Sequence, residues 1–183
     1  MTSGHVFIAV SLDGFVARED HAIDWLTKQE TGDEDLGFAG FMDSVDGIVM
    51  GRGSFLNVLS FGVEWPYPKP VIVMSKTLSQ DDIPEELTGM VRLSKLEPDE
   101  LMRSLQEDGW ARAYVDGAKL VQSFIRGGLI QDLVLTTIPI LIGSGIKLFG
   151  EIDADIDLEL EDVAAFKGGL VQSHYRIAAP SRD

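Results

Sequence analysis

The chain has 183 residues, 45% hydrophobic and 25% charged, a size and balance that suit one globular domain over 1–183 and argue against intrinsic disorder. Its 30 acidic and 15 basic groups give a formal charge of -15, which disfavours nucleic acid and anionic membrane as partners. Cysteine is absent, which excludes disulfides, thiolate metal sites and a cysteine nucleophile; no segment reads as a signal peptide or membrane span, so a cytoplasmic protein is expected.

Residues 5–11 (HVFIAVS) form a continuous apolar run, as in a strand buried on both faces, and Asp13-Gly14 ends it. Phe38, Phe41, Met42 and Val45 recur at helical spacing. A short buried strand over 47–50 leads into Gly51-Arg52-Gly53-Ser54 and a short helix over 55–59. Pro66, Pro68 and Pro70 precede a third strand at 71–74, and a fourth covers 90–93. Pro98, with Asp99 and Glu100, opens a helix whose apolar stripe is Leu101, Met102 and Leu105; Gly109 ends it. A fifth strand at 113–115 precedes a helix burying Leu120, Val121, Phe124 and Ile125, and Gly127-Gly128 stops that helix. A sixth strand covers 133–138. Residues 156–165 and 170–177, joined by Lys167-Gly168-Gly169, read as a hairpin. In its second arm Val171, Tyr175 and Ile177 alternate with Gln172, His174 and Arg176. Short buried strands alternating with helices predict an α/β fold, with a mostly parallel sheet covered on both faces and an antiparallel hairpin at its C-terminal edge.

The stretch 114–150 parses as strand, glycine turn, helix, strand and Gly-rich loop. Such a turn presents backbone N–H groups at a helix N-terminus, a ready phosphate site. Four candidate turns follow predicted strands: Leu12-Asp13-Gly14, Gly51-Arg52-Gly53-Ser54, Ser75-Lys76 and Asp116-Gly117-Ala118-Lys119. Each alone is an ordinary turn; together they supply Arg52, Lys76 and Lys119 at the strand ends where ligands bind in open α/β sheets. Neither G-x-G-x-x-G after the first strand nor a P-loop is present. His5, His21 and His174 lie far apart without metal-ligand spacing, so they read as surface or structural residues and no metal is expected. No serine lies in a nucleophile elbow of G-x-S-x-G type.

Taken in order, SLDGFVA (11–17), DWL (24–26), VDGIVMGRGSF (45–55), VIVMSK (71–76), VDGAKLVQSFIRGGLIQDLVL (115–135) and IPILIGSGIKLF (138–149) resemble the dihydrofolate reductase family. More closely, they resemble its bacterial branch of riboflavin-biosynthesis reductase C-terminal-domain-like proteins. The resemblance implies a three-layer α/β/α fold, an NADPH cofactor, reduction of a small heterocycle of pterin or ribosylamino-pyrimidine type, and a homodimer formed through the C-terminal strands. It implies that Gly51, Arg52, Gly53 and Ser54 hold the pyrophosphate and the adenosine phosphate. Ser75 and Lys76 would meet the 2′-phosphate. Asp116, Gly117, Ala118 and Lys119 would form the pyrophosphate turn, and Ala9, Gly14 and Val16 would border the nicotinamide.

Asp116 stands where the family often has glycine; it either caps the following helix, the favoured reading, or, ionised, opposes the pyrophosphate. Asp35 aligns approximately with the substrate carboxylate of dihydrofolate reductases, which makes it the candidate proton donor. Within Asp33-Glu34-Asp35 it equally reads as an acidic helix start. Trp25 either lines the substrate pocket or is an ordinary buried tryptophan, and Asp13 braces its turn. The alternative function is a nucleotide-binding protein of the same fold without catalysis; a purely structural dimer would leave the phosphate-side residues unexplained.

Overall fold

Alternate residues of the central strands feed two separate apolar clusters, which divides the protein into layers. The structure, a computed structural model, describes residues 1–29 and 36–178. In β1 (Ser3–Ser11), β3 (Gly47–Gly51) and β6 (Arg112–Asp116), residues Val6, Val10, Val49, Ala113 and Val115 face one cluster. Phe7, Ile48, Met50 and Tyr114 face the other. The first cluster receives Leu101, Met102 and Leu105 of α4 (Pro98–Glu107) and Val121, Phe124 and Ile125 of α5 (Ala118–Arg126). The second receives Met42 of α2 (Phe38–Ser44) and Phe55 of α3 (Arg52–Ser60). The result is a helix–sheet–helix sandwich.

The remaining main strands are β4 (Val71–Met74), β5 (Val91–Ser94), β7 (Ile130–Ile138), β9 (Leu158–Ala165) and β10 (Val171–Ile177). They form one eight-stranded sheet of order β5-β4-β3-β6-β1-β7-β10-β9. The first six strands are parallel; β10 runs antiparallel to β7 and β9 antiparallel to β10. The predicted fold class therefore holds, and the strand ends shift by one to three residues.

Three small elements carry no clear sequence signal. β2 (Phe15–Ala17) pairs antiparallel with β8 (Ile146–Lys147), and a helical turn, α1 (Asp24–Thr27), follows β2. The β2–β8 ribbon brings Gly145 against the carbonyl of Ala17, where a Cβ would lie 2.2 Å away. The Asp13 carboxylate accepts hydrogen bonds from the Gly143 N–H at 2.8 Å, the Ile142 N–H at 3.1 Å and the Ser11 hydroxyl at 2.6 Å. The expected brace is thus also a clamp between the first turn and the loop after β7. The Ser11 hydroxyl bond heads the causes that lower the Asp13 pKa, followed among the lowering causes by the two backbone bonds.

Candidate active site

Strands β3 and β6 are neighbours, with Met50 opposite Asp116. The helices that follow them leave to opposite faces of the sheet, α3 toward the Met42–Phe55 cluster and α5 toward the Val121–Phe124 cluster. Such a divergence opens the crevice in which α/β sheets bind ligands. The N-termini of α3 and α5 converge there. A Cβ on Gly117 would lie 2.5 Å from the Ser54 hydroxyl oxygen and 3.9 Å from the Gly51 nitrogen.

Both helices start in an unusual way. Neither has a side-chain cap or an acidic residue in its first turn. Both instead carry a cation there, Arg52 in α3 and Lys119 in α5. The helix dipole disfavours a cation at that end, and the leading N–H groups have no intrahelical partner. Two uncapped positive ends with added positive charge are matched by an anion placed between them.

The candidate 2′-phosphate residues lie beside this crevice, at the end of β4. Lys76 is exposed and pairs with Glu97 at 2.6 Å. An exposed pair of this kind contributes about 0–1 kcal/mol, so the ammonium is readily handed to another anion. The Arg52 guanidinium donates to the Thr77 hydroxyl at 3.3 Å. Ser75 is buried, and its hydroxyl accepts from the N–H groups of Thr77 at 3.2 Å and Leu78 at 3.0 Å. Ser75 therefore shapes the turn, while Arg52, Lys76 and Thr77 face outward; Thr77 escapes sequence reading because nothing in VIVMSKT marks it.

His21 is a second residue without a sequence signal. Its backbone is left-handed at φ 69°, and its ring would lie 3.0 Å from a Cβ on Gly53. The loop that presents it is closed by Arg18, whose guanidinium forks onto the Asp24 carboxylate at 2.5 and 2.8 Å. Asp24 thus anchors a loop over the start of α3. The Arg18 bond is the largest cause of its lowered pKa.

Ala9 lies in β1, half-buried against the cluster of Trp25, Ile138 and Leu170; Gly14 and Val16 follow at the turn and in β2. Trp25 itself is 0% exposed and packs with Ile138 and Leu170. Its Nε1 has no hydrogen-bond partner among the described residues. Asp35 lies outside the described residues.

The helix-cap reading of Asp116 does not hold. The N-cap of α5 is Gly117, at φ 96° and ψ 129°, and no side chain caps it. The Asp116 carboxyl instead turns toward Ser54, the Gly117 N–H and Tyr114, whose Oη lies 3.3 Å away. Desolvation by burial raises its pKa, against the opposing effect of these hydrogen bonds. Burial likewise raises the phenol pKa of Tyr114 and of Tyr67, and a negative charge on Asp116 would add to both.

His5 is fully buried at the opposite end of the sheet. Its Nδ1 is 2.7 Å from the Asp132 carboxylate and its Nε2 2.8 Å from the Ser3 hydroxyl. It ties β1 to β7 and is structural.

The profile of the RibD C-terminal domain matches residues 3–172. The chain belongs to the RibD C-terminal domain family. Within curated proteins it is 34% identical over 170 residues to YwjB of Bacillus subtilis strain 168, named an uncharacterized protein, covering 93% of this chain and 95% of that one. A crystal structure of a putative riboflavin biosynthesis protein from Shewanella sp. PV-4 superposes with TM-score 0.91 at 35% identity, covering 97% of this chain and 100% of that chain. Dihydrofolate reductase from Enterococcus faecalis, complexed with NADP(H), superposes with TM-score 0.63 at 14% identity over 97% of each chain, a likeness of fold. The RibD C-terminal domain is therefore carried here on the dihydrofolate reductase-like fold that the sequence implies. No helix among the described residues is long and apolar enough to cross a membrane.

Proposed function

We propose that this RibD C-terminal-type domain is an NADPH-dependent reductase of a small heterocyclic substrate, of pterin or 5-amino-6-(5-phosphoribosylamino)uracil type. One observation carries the reading: the uncapped, cation-bearing starts of α3 and α5 meet at the β3–β6 crevice. A pyrophosphate satisfies both sets of N–H groups at once. Gly51, Gly53, Ser54, Gly117 and Ala118 would hold it by backbone and hydroxyl groups, with Arg52 and Lys119 supplying charge. Arg52, Lys76 and Thr77 would take the 2′-phosphate on the turn that Ser75 shapes, which favours NADPH over NADH. Ala9, Gly14 and Val16 would border the nicotinamide. NADPH supplies the hydride when bound, and Asp35 is the proposed proton donor to the substrate.

A homodimer belongs to the same proposal. Among the described residues strand β9 pairs on one side only and is exposed along nearly all its length, with Leu158 at 43%, Leu160 at 56% and Val163 at 56% exposure. An open edge of this composition favours pairing with a second copy.

The test is a melting-temperature titration with NADPH and NADH. A ligand that binds the native state raises the melting temperature by mass action. NADPH should raise it more than NADH, and Arg52→Ala and Lys76→Ala should shrink that difference. No shift with either cofactor at millimolar concentration refutes the proposal. Turnover is then sought with dihydrofolate and with the ribosylamino-pyrimidine. Binding without turnover of any heterocycle identifies a nucleotide-binding protein that has kept the fold without catalysis.

A further inference from the structure

A count of protons around Tyr114 leads to Asp116. The Tyr114 Oη lies 3.0 Å from the Phe7 carbonyl oxygen and 3.3 Å from the Asp116 carboxyl. A phenol has one proton, and a carbonyl oxygen only accepts. The shorter contact takes that proton, so Tyr114 donates to Phe7. An ionised Asp116 would then set its oxygen against the Tyr114 lone pairs. A protonated Asp116 donates to Tyr114, and the three groups form one directional chain from Asp116 through Tyr114 to Phe7.

The surroundings favour the same state. No Arg or Lys forms an ion pair with Asp116 among the described residues. The titratable groups that face it are the phenols of Tyr114, on β6, and Tyr67, on the segment before β4. From α3 it meets the Ser54 hydroxyl, and from its own turn the Gly117 N–H. Phe38 and Phe41 pack edge-on against the Tyr114 ring, at 6.3 and 5.1 Å between centroids, and keep that side apolar. The cations of the crevice, Arg52 and Lys119, stand in the first turns of α3 and α5 without pairing with Asp116.

We propose that Asp116 is a protonated positioning group at the phosphate turn, and that its ionisation weakens binding of a dinucleotide pyrophosphate. Resting on the NADPH reading, this adds a pH-dependent regulation of that site. Neutral Asp116 holds Ser54 and Gly117 in register and leaves the field of the two helix ends unopposed. Ionised Asp116 places a negative charge beside the phosphate groups. At short range and at the dielectric of a protein surface, such a charge should weaken affinity by about tenfold to a hundredfold.

The test is NADPH affinity, read by cofactor fluorescence on the full chain between about pH 5 and pH 9, a range set by ordinary carboxyl and phenol values. The cofactor's own 2′-phosphate titrates within that range, so the quantity used is the ratio of the wild-type dissociation constant to that of Asp116→Asn. Asparagine keeps a donor toward Tyr114 and cannot ionise. The ratio is expected to rise with pH through a single-proton step. In Ser54→Ala, which removes a bond that favours the carboxylate, the step should move to higher pH. A purely structural role for Ser54 would change affinity without moving the midpoint.

An infrared difference spectrum of cofactor-free wild type minus Asp116→Asn tests the protonation separately. A carboxylic-acid carbonyl band should be present at low pH and vanish across the pH at which the ratio begins to rise. A flat ratio across the range overturns the proposal, as does a difference spectrum without the acid band. Absence of NADPH binding at every pH overturns the cofactor reading and the switch together, while the infrared band still reports whether Asp116 is protonated.

Discussion

Replacement of Gly117 by alanine tests the crevice at its tightest point. Gly117 sits at φ 96° and ψ 129°, a backbone conformation closed to L side chains in ordinary structure. Holding alanine there costs about 1–3 kcal/mol. Its Cβ would also lie 2.5 Å from the Ser54 hydroxyl oxygen, so that side chain must rotate away. Rotation breaks the Ser54–Asp116 hydrogen bond, a loss of about 1 kcal/mol. Together these give roughly 2–4 kcal/mol, and at about 2–4 °C per kcal/mol for a chain of this size the melting temperature should fall by roughly 4–16 °C. The NADPH-induced rise in melting temperature should vanish in the same variant. The double variant Gly117→Ala/Ser54→Ala should lose less than the sum of the two single changes, since both break the same bond. A circular-dichroism melt of Gly117→Ala within a degree or two of wild type, with NADPH stabilisation intact, would refute this reasoning.

Gly53→Ala should behave in the opposite way. Its added Cβ meets only the exposed His21 ring, so the helix-propensity gain of about 1 kcal/mol should leave the melting temperature unchanged or higher. Calorimetric titration should nevertheless show weaker NADPH binding, since the methyl occupies the space before the α3 N–H groups. Asp13→Asn should lower stability at neutral pH. The folded-state pKa of Asp13 is below its unfolded value of 3.8, so its contribution is present above that value and is lost as pH falls through the folded pKa. Denaturant midpoints of wild type and variant should therefore converge in acid; a gap independent of pH would contradict the clamp. Leu160→Glu on β9 should turn the proposed homodimer into a monomer by light scattering, with an unchanged circular-dichroism spectrum.

The layer order and the parallel sheet were legible because they rest on strong, local signals. Runs such as IVM at 48–50 and VIVM at 71–74 belong to strands buried on both faces, and Pro98 and Gly109 bracket α4. The β2–β8 ribbon was not legible, because β8 is two residues long and is held by the Gly145 approach to Ala17 and by the Asp13 clamp. Both are contacts more than a hundred residues apart in sequence. The phosphate turns were visible as glycines after strands, but their convergence depends on β6 inserting between β3 and β1. Asp116 illustrates the limit. A short acidic side chain before a helix reads as a cap; only the spatial neighbours Tyr114, Ser54 and Phe7 reveal that it turns inward. Trp25 was ambiguous for a similar reason, since its burial depends on Ile138 of β7 and on Leu170 just before β10, both distant in sequence. His21 carried no sequence signal, because its place over Gly53 comes from the Arg18–Asp24 fork.

The central claim is that the α3 and α5 N-termini form one dinucleotide-phosphate site with a preference for the 2′-phosphate. Isothermal titration of the purified chain with NADPH, and in parallel with NADH, tests it most directly. One NADPH should bind per chain, more tightly than NADH, with the preference reduced in Lys76→Ala. Equal affinity for both cofactors, or no heat with either at millimolar concentration, would contradict it.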